Sequence, residues 1–328
     1  MRQAMLGRLR QAAYAGAPGT MAALGFDGPT LAYRNATPIP VKAPLVPAPA
    51  KAPDIVYWTQ GVGAWGSLDG NGNAASVNRD LAGFFSGLDA RFGDVSRIGL
   101  AGGYTHSSVG INDRASSAGI DSAHLGAYAG TSIAGFNLRS GAAVAFHTID
   151  TSRTVLFPGF LDQATAHYDG NTGQVFGEVG YGLAYGPVAV EPFAGAAWVR
   201  VATDGFAEAA GPSALAGSGN ADSVGYSSLG ARAATSWILQ NGFALIPRAS
   251  LAWQHAFGDV TPTAALAFQS NGLGFDVAGV PIARDAALMD AGFDLRVSSW
   301  AKLGIGYSGE LAGNARDNAV KGNFTWDF

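Results

Sequence analysis

The 328-residue chain carries a formal charge of -4 at pH 7, and charged residues make up only 13% of it, about half the share usual in globular domains. A soluble globule with so few charges would be poorly hydrated, and a general nucleic-acid binder would show a basic stripe that is missing here. A hydrophobic content of 48% excludes disorder, and zero cysteines exclude disulfides and thiolate metal sites; no run of about 18 apolar residues offers a transmembrane helix.

Residues 1 to about 16 place Met5, Leu9, Ala12, Ala13 and Gly16 at helical spacing, with Arg2, Arg8 and Arg10 elsewhere on the cylinder. That spacing predicts a short basic amphipathic helix, within a first segment covering residues 1–34. The stretch MRQAMLGRLRQAAYAGA reads as no secretory leader, because Arg8 and Arg10 stand where an apolar core would be. The expectation is a piece of a longer precursor or a truncated chain.

Residues 35–54, NATPIPVKAPLVPAPAKAPD, are too Pro-rich for regular helix or central strand and predict an extended, semi-stiff tether. From residue 55 to Phe328 the texture changes to Gly-rich alternation.

Ile98, Leu100, Gly102 and Tyr104 alternate with Arg97, Gly99 and Ala101. Leu138, Ala142, Val144 and Phe146 alternate with Arg139 and His147, and Met289, Phe293 and Leu295 with Asp290, Asp294 and Arg296. One face of each segment is apolar and the other mixes charge, amide and glycine, the pattern of a half-apolar β-strand.

A soluble sandwich would show the same alternation. Link lengths separate the two: tight links near 92–97, Ala134-Gly135, Gly186-Pro187, 240–242 and 298–300 alternate with long ones near 67–78, 109–119, 151–168, 204–222, 258–285 and 312–318. All long links then fall at one end of an up-and-down meander, which predicts an all-β, transmembrane antiparallel barrel of about 12 strands over residues 55–328. Closure removes the strand edges that lipid cannot hydrogen-bond.

In such a barrel the apolar faces meet lipid. The predicted lumen holds Asp89, Arg91, Arg139, Glu178, Arg232, Arg248, Asp290, Asp294 and Arg296, together with Lys302 and Lys321. Aromatic residues near strand ends, Trp58, Trp65, Tyr104, Tyr185, Trp198, Trp237, Trp253 and Trp300, suit interfacial girdles, where amphipathic rings sit at headgroup level.

A helix, a tether and a barrel of about twelve strands ending on an aromatic residue resemble the C-terminal translocator domain of bacterial autotransporters, the type V secretion family. The segments GSLDGNGNA (66–74), LAGGYTHSS (100–108), DTSRTVLFPGF (150–160), WQHAFGDVTP (253–262) and VAGVPIARDA (277–286) resemble stretches recurring in that family, and the likeness covers the chain from its helix to Phe328.

The resemblance implies a Gram-negative outer-membrane barrel with the helix lying in its lumen, and with Arg2, Arg8 and Arg10 turned to acids such as Glu178, Asp290 and Asp294. It implies an N-terminal passenger carried to the surface, insertion by periplasmic chaperones and the outer-membrane assembly machinery, and an assembly signal at Phe324, Trp326 and Phe328. The partners expected are therefore outer-membrane lipid, that machinery and a covalently linked passenger, around a monomeric barrel that binds no nucleic acid.

Two other classes fit parts of the pattern. A stand-alone outer-membrane pore or structural barrel would share every strand signal but no luminal helix. A barrel hydrolase would need His with Ser, Asp or Asn converging at the rim; His106, His147, His167 and His255 lie near strand ends but show neither metal nor triad spacing, and His124 is isolated. No enzyme activity, cofactor or metal is expected.

Overall fold

The computed structural model describes residues 1–11 and 54–328 apart from Gly72, Asp94 and Asp259. The expected tether, and the helical extension beyond Gln11, fall outside the described residues.

Twelve long strands make the wall: β1 (Ile55–Leu68), β2 (Val77–Phe92), β3 (Ser96–Ile111), β4 (Ser116–Ile133), β5 (Phe136–Phe157), β6 (Phe160–Tyr181), β7 (Val188–Thr203), β8 (Asn220–Thr235), β9 (Ala244–Gly258), β10 (Asp285–Arg296), β11 (Ala301–Ala312) and β12 (Ala315–Asp327). Each is antiparallel to its neighbour in sequence, and β12 returns to β1 with Val56 opposite Asp327 and Leu68 opposite Ala315. The ladder is therefore a closed ring. Every edge that lipid would leave unsatisfied is paired.

Side-chain period two sorts the wall into an outer and an inner face. On β3, Ile98, Leu100 and Tyr104 are exposed while Arg97, Ala101 and Thr105 are buried. On β5 the outward apolar run from Phe136 to Phe146 has the length of a tilted membrane strand, about 9–11 residues. Polar residues follow it.

The loops depart from the expected pattern. The link at 151–168 is no loop, because β5 and β6 run on past the apolar band and turn at Pro158-Gly159, and the link at 312–318 shrinks to Gly313-Asn314. Cross-strand pairing continues outside the membrane wherever alternation continues, as it does from Thr148 to Phe157.

The links at 204–222 and 258–285 instead carry a four-stranded sheet of Phe206–Ala207, Leu215–Gly217, Thr263–Phe268 and Gly274–Ala278. Asp162 ties this sheet to the β5–β6 hairpin by accepting from the Ser213 hydroxyl at 2.7 Å and from the Gly211 and Ser213 backbone N–H groups. Those donors, the hydroxyl foremost, hold its carboxyl below the usual carboxylate range. The ends that carry these extensions form the extracellular side, and the short turns form the periplasmic side.

The helix α1 (Arg2–Gln11) lies inside the ring. Ala4, Met5, Leu6 and Leu9 form one buried cluster with Trp58, Phe85, Ala101, Tyr128, Ala143 and Phe176 of the inner wall. This is the core of the molecule. It exists only because wall and helix meet.

Candidate functional site: the occupied lumen

The inner wall presents charge at the level of the helix, and the helix is basic. Arg8 donates from Nε and Nη2 to Asp89 at 2.5 and 2.9 Å, a two-point contact between side chains 5% and 1% exposed. Asp89 also accepts from Arg97 Nε at 2.8 Å and from the Tyr128 hydroxyl at 3.1 Å. A carboxylate so enclosed is tolerable only because three donors replace its water.

A second network stands across the lumen. Glu178 meets Arg10 of the helix, Arg139 at 3.1 Å and Arg232 at 2.7 Å, while Glu191 meets Arg139 at 2.8 Å. The Arg232 guanidinium also lies over the Phe193 ring at 4.1 Å, a cation–π contact. The helix thus supplies one arginine to each of two buried acidic centres.

Glycine makes this crowding feasible. A Cβ on Gly180 would fall 1.9 Å from Glu191 Oε1, so the carboxylate lies over bare backbone. On β4, a Cβ at Gly126 would fall 2.9 Å from Met5 Sδ. The Gly-rich inner face is space for carboxylates and for the helix.

The expected helix contacts were Arg2, Arg8 and Arg10 with Glu178, Asp290 and Asp294. The structure pairs Arg10 with Glu178 but sends Arg8 to Asp89, while Arg2 lies 5.5 Å over the Tyr226 ring. Asp290 instead pairs with Lys321 at 3.1 Å and Asp294 with Arg248 at 3.2 Å. Both acids have a wall partner of their own, which removes their pull on the helix.

Of the remaining luminal residues, Arg139 and Arg232 are buried, whereas Arg91 reaches Asp54 at 2.6 Å at the periplasmic mouth and Arg296 is exposed there. Trp58 is a correction. It points inward, is 3% exposed, and donates from Nε1 to Tyr128 at 2.6 Å, because Val56 and Trp58 occupy the inward positions of β1. Trp65, Tyr104, Tyr185, Trp198, Trp237, Trp253 and Trp300 point outward.

Phe324, Trp326 and Phe328 share the outer face of β12 as a row of rings, with Trp326 also 4.5 Å from Trp300. The Phe328 N–H donates to the Ile55 carbonyl at 2.9 Å, so the terminal residue is sealed against the first strand.

Two buried residues escaped the sequence reading, Glu191 and Tyr128, and Arg97, read on the polar face of its strand, was not counted among the luminal charges. Glu191 shares its phase with Ala189 and Phe193 on the inner face of β7, and that phase was a usable signal.

Polarity of the helix decides what the site can do. Arg8 and Arg10 are anchored near the periplasmic ends of β2 and β6, whereas Arg2 lies beside Tyr226 in the other half of the barrel. Alongside the helix, from Arg10 and Glu178 to Arg2, Arg79 and Glu310, lies a cavity of about 330 Å³. Among the described residues no group of three or more His, Asp or Glu is placed to hold a metal ion, and no helix is long and apolar enough to cross a membrane.

Comparison with known proteins supplies the context. The family model described as the autotransporter beta-domain matches residues 57–308. Two proteins named extracellular serine protease, both from Serratia marcescens, are 35% and 37% identical over 278 and 279 residues, or 85% of this chain. The chain spans only 26% of the length of these curated relatives.

Solved structures with the same fold include the translocator domain of autotransporter NalP from Neisseria meningitidis, with a TM-score of 0.67 at 14% identity over 84% of this chain and 89% of that one. The beta domain of the Bordetella autotransporter BrkA gives 0.61 at 17% identity, covering 84% of this chain and all of that one. The transport unit of AIDA-I from Escherichia coli gives 0.60 at 14%, covering 84% and 90%.

Proposed function

The chain belongs to the autotransporter family, of which it carries the barrel domain, and from that premise we propose that its lumen conducts an N-terminal passenger to the cell surface and is then closed by α1. The barrel is an outer-membrane translocator. The observation that supports passage and closure is the helix polarity: a chain leading into Met1 would leave through the extracellular mouth, while Arg8 and Arg10 hold the helix from below.

The two relatives named as extracellular serine proteases align with this chain over about a quarter of their length. A serine protease is accordingly the passenger class to try first, with the protease outside the barrel and no catalysis by the barrel itself. A secretory leader and a reporter domain fused before Met1 test passage. The reporter is expected to become susceptible to protease added to intact cells, and a reporter retained in the periplasm would refute passage.

Insertion is proposed to depend on the outer row Phe324, Trp326 and Phe328, read by the assembly machinery and its periplasmic chaperones. The row is apolar, outward and terminal, which suits recognition before closure as well as lipid contact afterwards. Deleting Phe328 should lower the amount of folded barrel in outer-membrane fractions while leaving refolding into detergent intact. Equal membrane yields would assign the row to lipid contact alone.

A further inference from the structure

Above the apolar band the outer wall repeats one polar arrangement three times. His106 Nδ1 lies 2.8 Å from Asp121 Oδ1 across β3 and β4, His167 Nδ1 lies 2.8 Å from Asp150 Oδ1 across β5 and β6, and His255 Nδ1 lies 2.8 Å from Asp285 Oδ1 across β9 and β10. Each pair is directly opposed in strand register. Using Nδ1 for the carboxylate turns each ring's Nε2 away from it.

The height of these pairs is fixed by their neighbours. His106 follows outward Tyr104, His255 follows outward Trp253, and Asp150 lies beyond Phe146, where the outward apolar run of β5 ends. Tyr104 and Trp253 donate to the same Asp121 and Asp285, which joins the aromatic girdle to the pairs. On β7 and β12, which carry no such pair, the corresponding outward positions hold the exposed cations Arg200, next above Trp198, and Arg316.

We propose that this collar binds the phosphate groups of outer-leaflet glycolipid. Each ring held through Nδ1 turns its Nε2 outward, and at His167 the hydrogen bond to Asp150 raises the imidazole's pKa, favouring the charged form whose Nε2–H donates to a phosphate oxygen. Arg200 and Arg316 offer forked donors that match the same group.

The test uses the full 328-residue chain refolded into phosphatidylcholine vesicles containing either phosphorylated lipid A or its dephosphorylated form, with the midpoint of heat unfolding read from the electrophoretic shift. Phosphorylated lipid A should raise the midpoint and the dephosphorylated form should not. The triple variant His106→Asn/His167→Asn/His255→Asn should lose most of that gain while matching the parent in phosphatidylcholine alone.

Should the triple variant refold poorly, Arg200→Gln/Arg316→Gln is read the same way. An equal gain from both glycolipids, or a full gain in either variant, would overturn the proposal. Inorganic phosphate added to phosphatidylcholine vesicles separates a free-anion site from a lipid site: a midpoint rise there equal to that with lipid A would also overturn it.

Discussion

Removal of residues 1–34 is expected to raise single-channel conductance several-fold, with longer open events. The helix fills the periplasmic half of the lumen, where Met5 and Leu9 are fully enclosed by the wall. The wall itself should persist, because its closure by β12 on β1 uses no helix residue. A conductance equal to that of the full chain would refute closure by α1.

The second large effect is expected at Glu178. Substitution by Gln would leave Arg10, Arg139 and Arg232 around a neutral amide in a site where the carboxylate is 2% exposed. Breaking a buried ion pair by removing one partner costs about 3–5 kcal/mol, since the surviving charges lose their compensation. Glu191 remains as a second acceptor for Arg139 and Arg232, so the loss should fall chiefly on Arg10 and on helix docking.

Heat unfolding of Glu178→Gln should therefore begin at lower temperature, and its conductance should flicker towards that of the helix-deleted barrel. Asp317→Asn provides the contrast. Its partner Arg79 is half exposed, and such a pair contributes about 0–1 kcal/mol. If both variants unfold alike, the buried network does not hold the helix.

Period-two patterning made the strands legible, because membrane and lumen impose opposite chemistries on alternate residues. Arg139, Glu178 and Arg232 could be placed on the inner face for that reason. Their partners could not. Arg8 and Asp89 meet across 81 positions, and only the helix depth and the shear of the ring decide which acid each arginine reaches.

Trp58 shows the limit of residue type as a guide. A tryptophan near a strand end suits a girdle, yet its phase on β1 sends it into the lumen beside Tyr128. Phase outranks preference when the strand is already closed. The link at 151–168 was misjudged for a related reason: its length was read as irregular chain, whereas Thr151–Phe157 pairs with Phe160–Ala166.

Glu191 was legible in principle, because it shares the inward phase of Ala189 and Phe193 on a segment whose alternation marks a strand. In the closed wall Pro192 lies on the outer face opposite Ala231, and the ladder continues around it. Glycine on the inner face leaves room inside the lumen. Which glycine receives a carboxylate and which receives Met5 depends on register.

The central claim is that chain leading into α1 leaves on the outer face, and a short epitope placed directly before Met1 tests it. In intact cells the account predicts that this epitope is accessible to antibody, whereas the same epitope inserted at the Ala134-Gly135 turn becomes accessible only after the outer membrane is opened. An epitope before Met1 that stays hidden until the membrane is opened, in a barrel whose folded state is otherwise normal, would contradict it.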